Sequence, residues 1–254
     1  MMTGIGTLLR KELLEQWRTL RLPLVAVVFL LVGLGSPLLA RFTPELLKAV
    51  AGDQLPIQLP PPTAADSVDQ LAKNLNQFGA LIAILLAMGS VATEKERGTA
   101  ALILAKPVGR AAFLVAKLLA IGATLAVGTA VAVAGAWFYT LVLFEPLPIG
   151  GFLAAGVLDW LLLLSWAAIT FVGSTLTRSS VAAAGLGIVA LIVIGALSAI
   201  PVLAPWLPTG LGGPARAFAL GIPGPTVVTP LVGTIVFIAA AGSIAWLSFR
   251  RQEL

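Results

Sequence analysis

Asp159 is the carboxylate best placed to do chemistry, because it is the sole charged residue in the apolar run from Phe152 to Leu176. A carboxylate at mid-membrane costs about 3 kcal/mol on insertion scales, so by default it is a pairing, proton-transfer or cation-binding group. If instead Phe152 to Leu158 lies along the membrane surface and the span proper begins at Trp160, Asp159 falls among the headgroups. The sequence admits both placements. Asn74, Asn76 and Gln77 form a second polar group, at the head of the apolar run Leu75 to Thr93. These amides either line a translocation path at its outer mouth or are solvated residues at a helix end. The chain has no cysteine and no histidine, which removes thiol chemistry and the commonest general base and metal ligand. It carries no GxxxxGK[ST] phosphate loop, no HExxH and no GxSxG, nor a dense carboxylate cluster of the kind a metal-dependent membrane transferase needs.

Charge in the middle of the chain is concentrated in Glu94 to Lys117, EKERGTAALILAKPVGRAAFLVAK, with apolar runs on both sides. Lys95, Arg97, Lys106, Arg110 and Lys117 beside such runs mark a loop held on the cytoplasmic side of a membrane. Gly98 can break a helix, Thr99 can cap a new one, Ala100 to Ala105 can form its turns, and Pro107 stops it. This is the composition of a small docking element.

The elements that must position these groups are membrane spans. Hydrophobic residues make up 59% of the 254 and charged residues 11%, against roughly 25% charged in globular proteins. The chain is an integral membrane protein with room for several spans of about 20 residues and for no sizeable soluble domain. The net charge of +5 does not point to nucleic acid, because the basic residues lie at the ends of apolar runs and not on one solvated face.

The expected fold is all-α and polytopic, with about six transmembrane helices. Residues 1–21 should form an amphipathic helix in the headgroup layer, with Leu9, Leu13, Leu14 and Trp17 on one face and Arg10, Lys11, Glu15 and Arg18 mostly on the other; an ordinary cytosolic lead-in helix is the alternative. The spans are read as 22–40, 75–93, 118–140, 156–176, 181–200 and 231–249. Residues 94–117 form the cytoplasmic loop. Two extracytoplasmic loops are expected. The first, 41–74, is proline-rich, with short helices starting at Thr43-Pro44 and near Asp66; its acids include Asp53 and its prolines Pro56. The second, 201–230, carries seven prolines and reads as an irregular, re-entrant segment tucked at the membrane surface. The apolar run Leu118 to Phe144 is longer than a bilayer requires, so it should tilt or end early near Trp137 and Tyr139. Its Gly122, Ala126, Ala130 and Ala134 make a smooth packing stripe.

Charge counting orients the spans. Of 16 Lys and Arg, 12 fall in the segments placed inside, and Arg41, Lys48, Lys73 and Arg216 fall outside. Both termini are therefore expected in the cytoplasm of a multi-pass cell-membrane protein.

The run AMGSVATEKERGTAALILAKPVGRAAFLVAK resembles the signature of the ABC-2 type permeases, the membrane subunits of ABC transporters. The opening LLRKELLEQWRTLR and the ending AWLSFRRQEL are similar to that family's start and finish. The layout matches the six-span, single-domain permeases whose ATPase is a separate chain. The resemblance implies a non-catalytic transport subunit of an exporter, paired with a second copy or a related permease and with two ATPase subunits that bind the ATP and magnesium. No cofactor is expected on this chain itself. Glu94, Glu96, Arg97, Gly98 and Thr99 would open the coupling contact with the ATPase. Arg10, Lys11, Glu12 and Arg18 would lie on the connecting helix. The readings that compete with it are a membrane enzyme using Asp159 and a non-transporting anchor for an ATPase.

Overall fold

The computed structural model describes residues 4–51, 60–105 and 108–252, apart from the side chains of residues 50 and 51. Asp53, Pro56, Lys106 and Pro107 lie outside these residues. Among the described residues the chain is all-helical, and six helical stretches are long and apolar enough to cross a membrane.

Helix α1, Ile5–Arg18, leads into α2, Arg21–Ala51, through an elbow at Leu20, whose φ of 60° is left-handed. A non-glycine residue there signals an elbow fixed by its surroundings. The α2 helix runs well past residue 40 and through Pro44, where a new helix start was expected. One proline removes one backbone donor, and the residues after it, Glu45, Leu46, Leu47 and Lys48, are good helix formers that carry the helix on.

The second span is likewise longer than its apolar core. It comprises α3, Ala64–Asn74, a π-turn at Leu75–Gly79, and α4, Ala80–Met88. The start near Asp66 forms as expected: the Asp66 carboxylate accepts from the Thr63 N–H and hydroxyl, both at 2.7 Å, which satisfies a free helix-end donor. Residues 41–74 are thus largely helical where described, and not a loop.

After α5, Ala92–Glu96, and α6, Thr99–Leu104, the third span α7 runs from Arg110 to Leu143. Arg110 to Lys117 are its first turns and not part of the loop, and it continues past Trp137 and Tyr139 without ending early. The fourth span, α8, is one continuous helix from Ile149 to Leu176. Phe152 to Leu158 is therefore no separate surface segment, and Asp159 sits about 15 Å along a helix of about 42 Å. The fifth span, α9, is Ser180–Leu197. The proline-rich stretch after it contains two 3-10 turns and a nine-residue helix, α10, Gly212–Leu220. Regular helix was not expected there, but Pro214 falls in the first turn of α10, where its missing N–H costs nothing. The sixth span is α11, Val228–Arg250.

Helix α8 is the hub, packing against α4, α7, α9, α10 and α11 and burying Leu163, Trp166 and Phe171. The most extensive helix pair is α2 with α7. A Cβ built on Gly33 would lie 2.2 Å from the Ala132 carbonyl oxygen, and Gly128 and Gly135 admit Phe29 and Leu34 in the same way. This seam lies on a different face from the expected stripe. Gly122 instead accepts the Trp160 indole N–H at 2.9 Å, while Ala126 and Ala130 line an apolar slot between α7 and α8.

Gly33→Leu should force α2 off α7 and cost at least about 1–3 kcal/mol. The expected readout is loss of the monodisperse peak and a lowered unfolding midpoint in detergent, while Gly195→Ala, with nothing within 4 Å, leaves both unchanged.

Candidate functional site

One end of the bundle gathers α1, α5, α6 and the C-terminus. At its centre Lys117, whose side chain is 4% exposed, reaches Glu94 Oε1 at 2.8 Å and Glu12 Oε1 at 3.1 Å. Lys11 adds bonds to Glu12 at 2.9 Å, Glu15 at 3.0 Å and Glu94 at 3.4 Å. Three carboxylates and two ammonium groups thus join α1, α5 and the third span, α7. The Lys117 ammonium also lies 5.0 Å from the Phe113 ring centre, and that ring stacks on Phe249 of α11 at 5.7 Å.

The local sequence dictates this convergence. On α1 the buried residues are Glu12 and Gln16, one turn apart and following Leu8, which packs against the core, and Gln16 accepts the Thr124 hydroxyl of α7 at 2.8 Å. Leu14, Trp17 and Leu20 point away, Trp17 being 61% exposed. The amphipathic helix therefore turns its apolar side to the membrane boundary and its central polar residues to buried partners. Arg10 and Arg18 are exposed.

The coupling turn is held from beneath as well. The Ser174 hydroxyl of α8 accepts the N–H groups of Val91 and Ala92, both at 3.0 Å, and so caps α5 from another helix. The Lys95 ammonium donates to the Thr175 carbonyl at 2.8 Å. Arg110 donates to the Arg250 carbonyl at 2.8 Å and the Gln252 carbonyl at 3.1 Å. Both cations sit on the carbonyl ends of α8 and α11, where the helix dipole is negative.

Of the residues expected at the ATPase contact, Glu94 is turned inward to Lys117, whereas Glu96, Arg97 and Gly98 are exposed. Gly98, at φ 68°, occupies the cap position before α6. Thr99 is not the cap: it is the first helical residue, and its hydroxyl donates back to the Glu94 carbonyl at 3.3 Å. On α6 Leu102 is 70% exposed.

The sequence showed no dense carboxylate cluster, yet folding brings oxygens of Glu12, Glu15 and Glu94 within 4.8 Å of one another. That spacing could take a metal ion, but here the carboxylates hold the Lys11 and Lys117 ammonium groups. Lys11 is held above its ordinary value near 10.5: partial burial pulls it down, but its bonds to Glu12 and Glu15 outweigh that. Glu15 is held below 4.5, burial opposing and Lys11 prevailing. The Glu15 contribution is present above about pH 4.5 and lost as pH falls, and the Lys11 contribution is present below about pH 10.5 and lost as pH rises. The Lys11–Glu15 pair is therefore intact at neutral pH.

The residues named for a translocation path are not brought together. Asn74 is buried and donates to Ser36 of α2 at 2.9 Å, and Gln77 is exposed in the π-turn. Asp159 lines a separate small cavity with Phe152, Ala155 and Arg216, and the Arg216 guanidinium is engaged by Asp69 at 2.6 Å.

Lys117→Met, which removes the buried cation and leaves Glu12 and Glu94 only the half-exposed Lys11, should cost about 3 kcal/mol, while Lys11→Met, at the exposed rim, should cost at most about 1 kcal/mol. Unfolding midpoints of the two variants in one detergent test the ranking.

The sequence profile of the ABC-2 family transporter proteins matches residues 7–213, which span α1 to the start of α10 and include every member of the ionic junction. The chain is also 32% identical over 207 residues to a protein of Bacillus subtilis (strain 168) described as "Uncharacterized transmembrane protein YxlG", covering 79% of each. With its six apolar helices and this match, the chain belongs to the ABC-2 family of transporter membrane proteins.

Proposed function

We propose that this chain is the permease subunit of an ATP-driven exporter and that the turn from α5 to α6 is where a separate ATPase engages it. The observation that carries the reading is the exposed patch of Glu96, Arg97 and Leu102, built on a turn whose other side is tied to α1, α7 and α8. An engine can bias a bundle only through contacts that differ between its states. A surface helix tied on its inner side to several helices supplies such a contact. ABC-2 permeases work with ATPase partners. On this reading ATP and magnesium bind to that partner, and a second copy or a related permease completes the assembly.

The charged end, with both termini, is taken as cytoplasmic because of its excess of Lys and Arg. The enzyme reading lacks a second acid or base beside Asp159: Arg216, the other titratable residue lining its cavity, is held by Asp69.

Arg97→Glu combined with Leu102→Asp should abolish co-purification with the cognate ATPase while insertion and monodispersity stay intact; co-purification at wild-type yield would refute the docking assignment. The chain has no native cysteine, so single replacements report topology cleanly. In intact cells Glu145→Cys should react with a membrane-impermeant maleimide and Arg97→Cys should not; the reverse pattern would invert the orientation and exclude an ATPase at the turn.

A further inference from the structure

Two cavities meet at the charged end. One, of about 370 Å³, is a polar vestibule bounded by the ionic junction, with Arg21, Arg97 and Thr93 among its walls. The other, of about 330 Å³, is an apolar cleft between α2 and α4, lined by Leu24, Val25, Val28, Ile82 and Leu85. They share Arg21, Leu86, Gly89 and Thr93, so the vestibule and the cleft adjoin at Arg21. The cleft exists because α2 packs on α7 and α3 whereas α4 packs on α8 and α9. It faces outward: Leu24 and Leu85 are exposed.

We infer that these adjoining cavities bind one membrane glycerophospholipid, with the phosphate on Arg21 in the vestibule and an acyl chain in the α2–α4 cleft. The chemistry changes from charged to apolar at Arg21, the first residue of α2, as it does from headgroup to chain in a lipid. Arg21 has no carboxylate within 4.0 Å among the described residues. Its five donors are therefore free for an oxyanion, which a guanidinium holds bidentately, and basic pockets between spans are established headgroup sites. Inside the vestibule Glu94 Oε2 is buried with no hydrogen-bond partner, so the ionic junction leaves one acceptor for an added donor. Bound there, the lipid touches α1, α2, α4 and the coupling turn together. The inference concerns binding alone and stands whether or not an ATPase docks on α6.

Native mass spectrometry of the delipidated full chain in detergent tests it, with phosphatidylglycerol, diacylglycerol and glycerol 3-phosphate titrated separately. Phosphatidylglycerol should saturate one site, and the other two should bind about tenfold more weakly or less, since each lacks one half of the match. Arg21→Gln and Val28→Trp should each weaken phosphatidylglycerol by about tenfold, and Lys73→Gln should not. A thermal midpoint equal to wild type shows that each variant is folded, and Leu85→Trp fills the cleft from its other wall if Val28→Trp fails this check. Unchanged binding in both the arginine and the cleft variants overturns the site. Diacylglycerol or glycerol 3-phosphate binding as tightly as phosphatidylglycerol overturns the claim that phosphate and chain are held together.

Discussion

A lysine ammonium buried in a membrane protein must be paired, and Lys117 is satisfied only if two other pieces of chain converge on it. Its partners come from α1 and α5, some 105 and 23 residues away in sequence. The pairing therefore acts as a constraint on assembly: α1 cannot drift from the bundle, nor α5 unwind, without leaving a charge exposed to a poor solvent. A buried ion pair of this kind contributes little net stability over apolar packing, but it punishes misalignment. The same charge set explains why α1 lies with Glu12 and Gln16 inward and Trp17 outward, the reverse of an amphipathic helix on a soluble protein.

The opposite end is held by different means. Uncharged contacts dominate: the Ser67 and Thr140 hydroxyls are 2.7 Å apart, and Asn74 meets Ser36 at 2.9 Å, pinning α3 to α7 and α2. The exposed Asp69–Arg216 pair ties α3 to α10. Such neutral bonds are each worth about 1 kcal/mol, and exposed ion pairs about the same or less. The glycine seam between α2 and α7 connects the two ends, with Gly33, Gly128 and Gly135 letting the backbones approach.

The fold class and the six spans were legible because apolar length alone specifies a span. Their ends were not. Hydropathy stops at Ala40 or starts at Leu118, whereas helices stop only where backbone bonding fails, so α2 ran on through Pro44 and α7 began at Arg110. The break between α5 and α6 was readable from its Gly-Thr punctuation, although Gly98 and not Thr99 holds the cap position. The inward roles of Lys117, Glu12 and Gln16 were missed because charge near a membrane is read first as topology. A signal was present: Lys117 stands two turns inside an apolar helical run, and an isolated cation there requires an anion.

The coupling turn is bound on both sides by bonds of different character. Glu94 ties α5 to α1 and α7 through charge, while Ser174 and Thr175 tie it to α8 through backbone hydrogen bonds. The neutral bonds to Ser174 can break and re-form with water near a membrane surface at little cost, and the partly exposed Lys95 can exchange its carbonyl for water, whereas the charges of Glu94 and Lys117 cannot part without a large penalty. A load applied at α6 should therefore move α5 together with α1, α2 and α7 and slip it against α8. Because α4 packs on α8 and α9, such a slip would change the gap between α2 and α4. If an ATPase engages the exposed turn as proposed, the width of that cleft would be the coordinate along which its force reaches the membrane-facing side of the bundle.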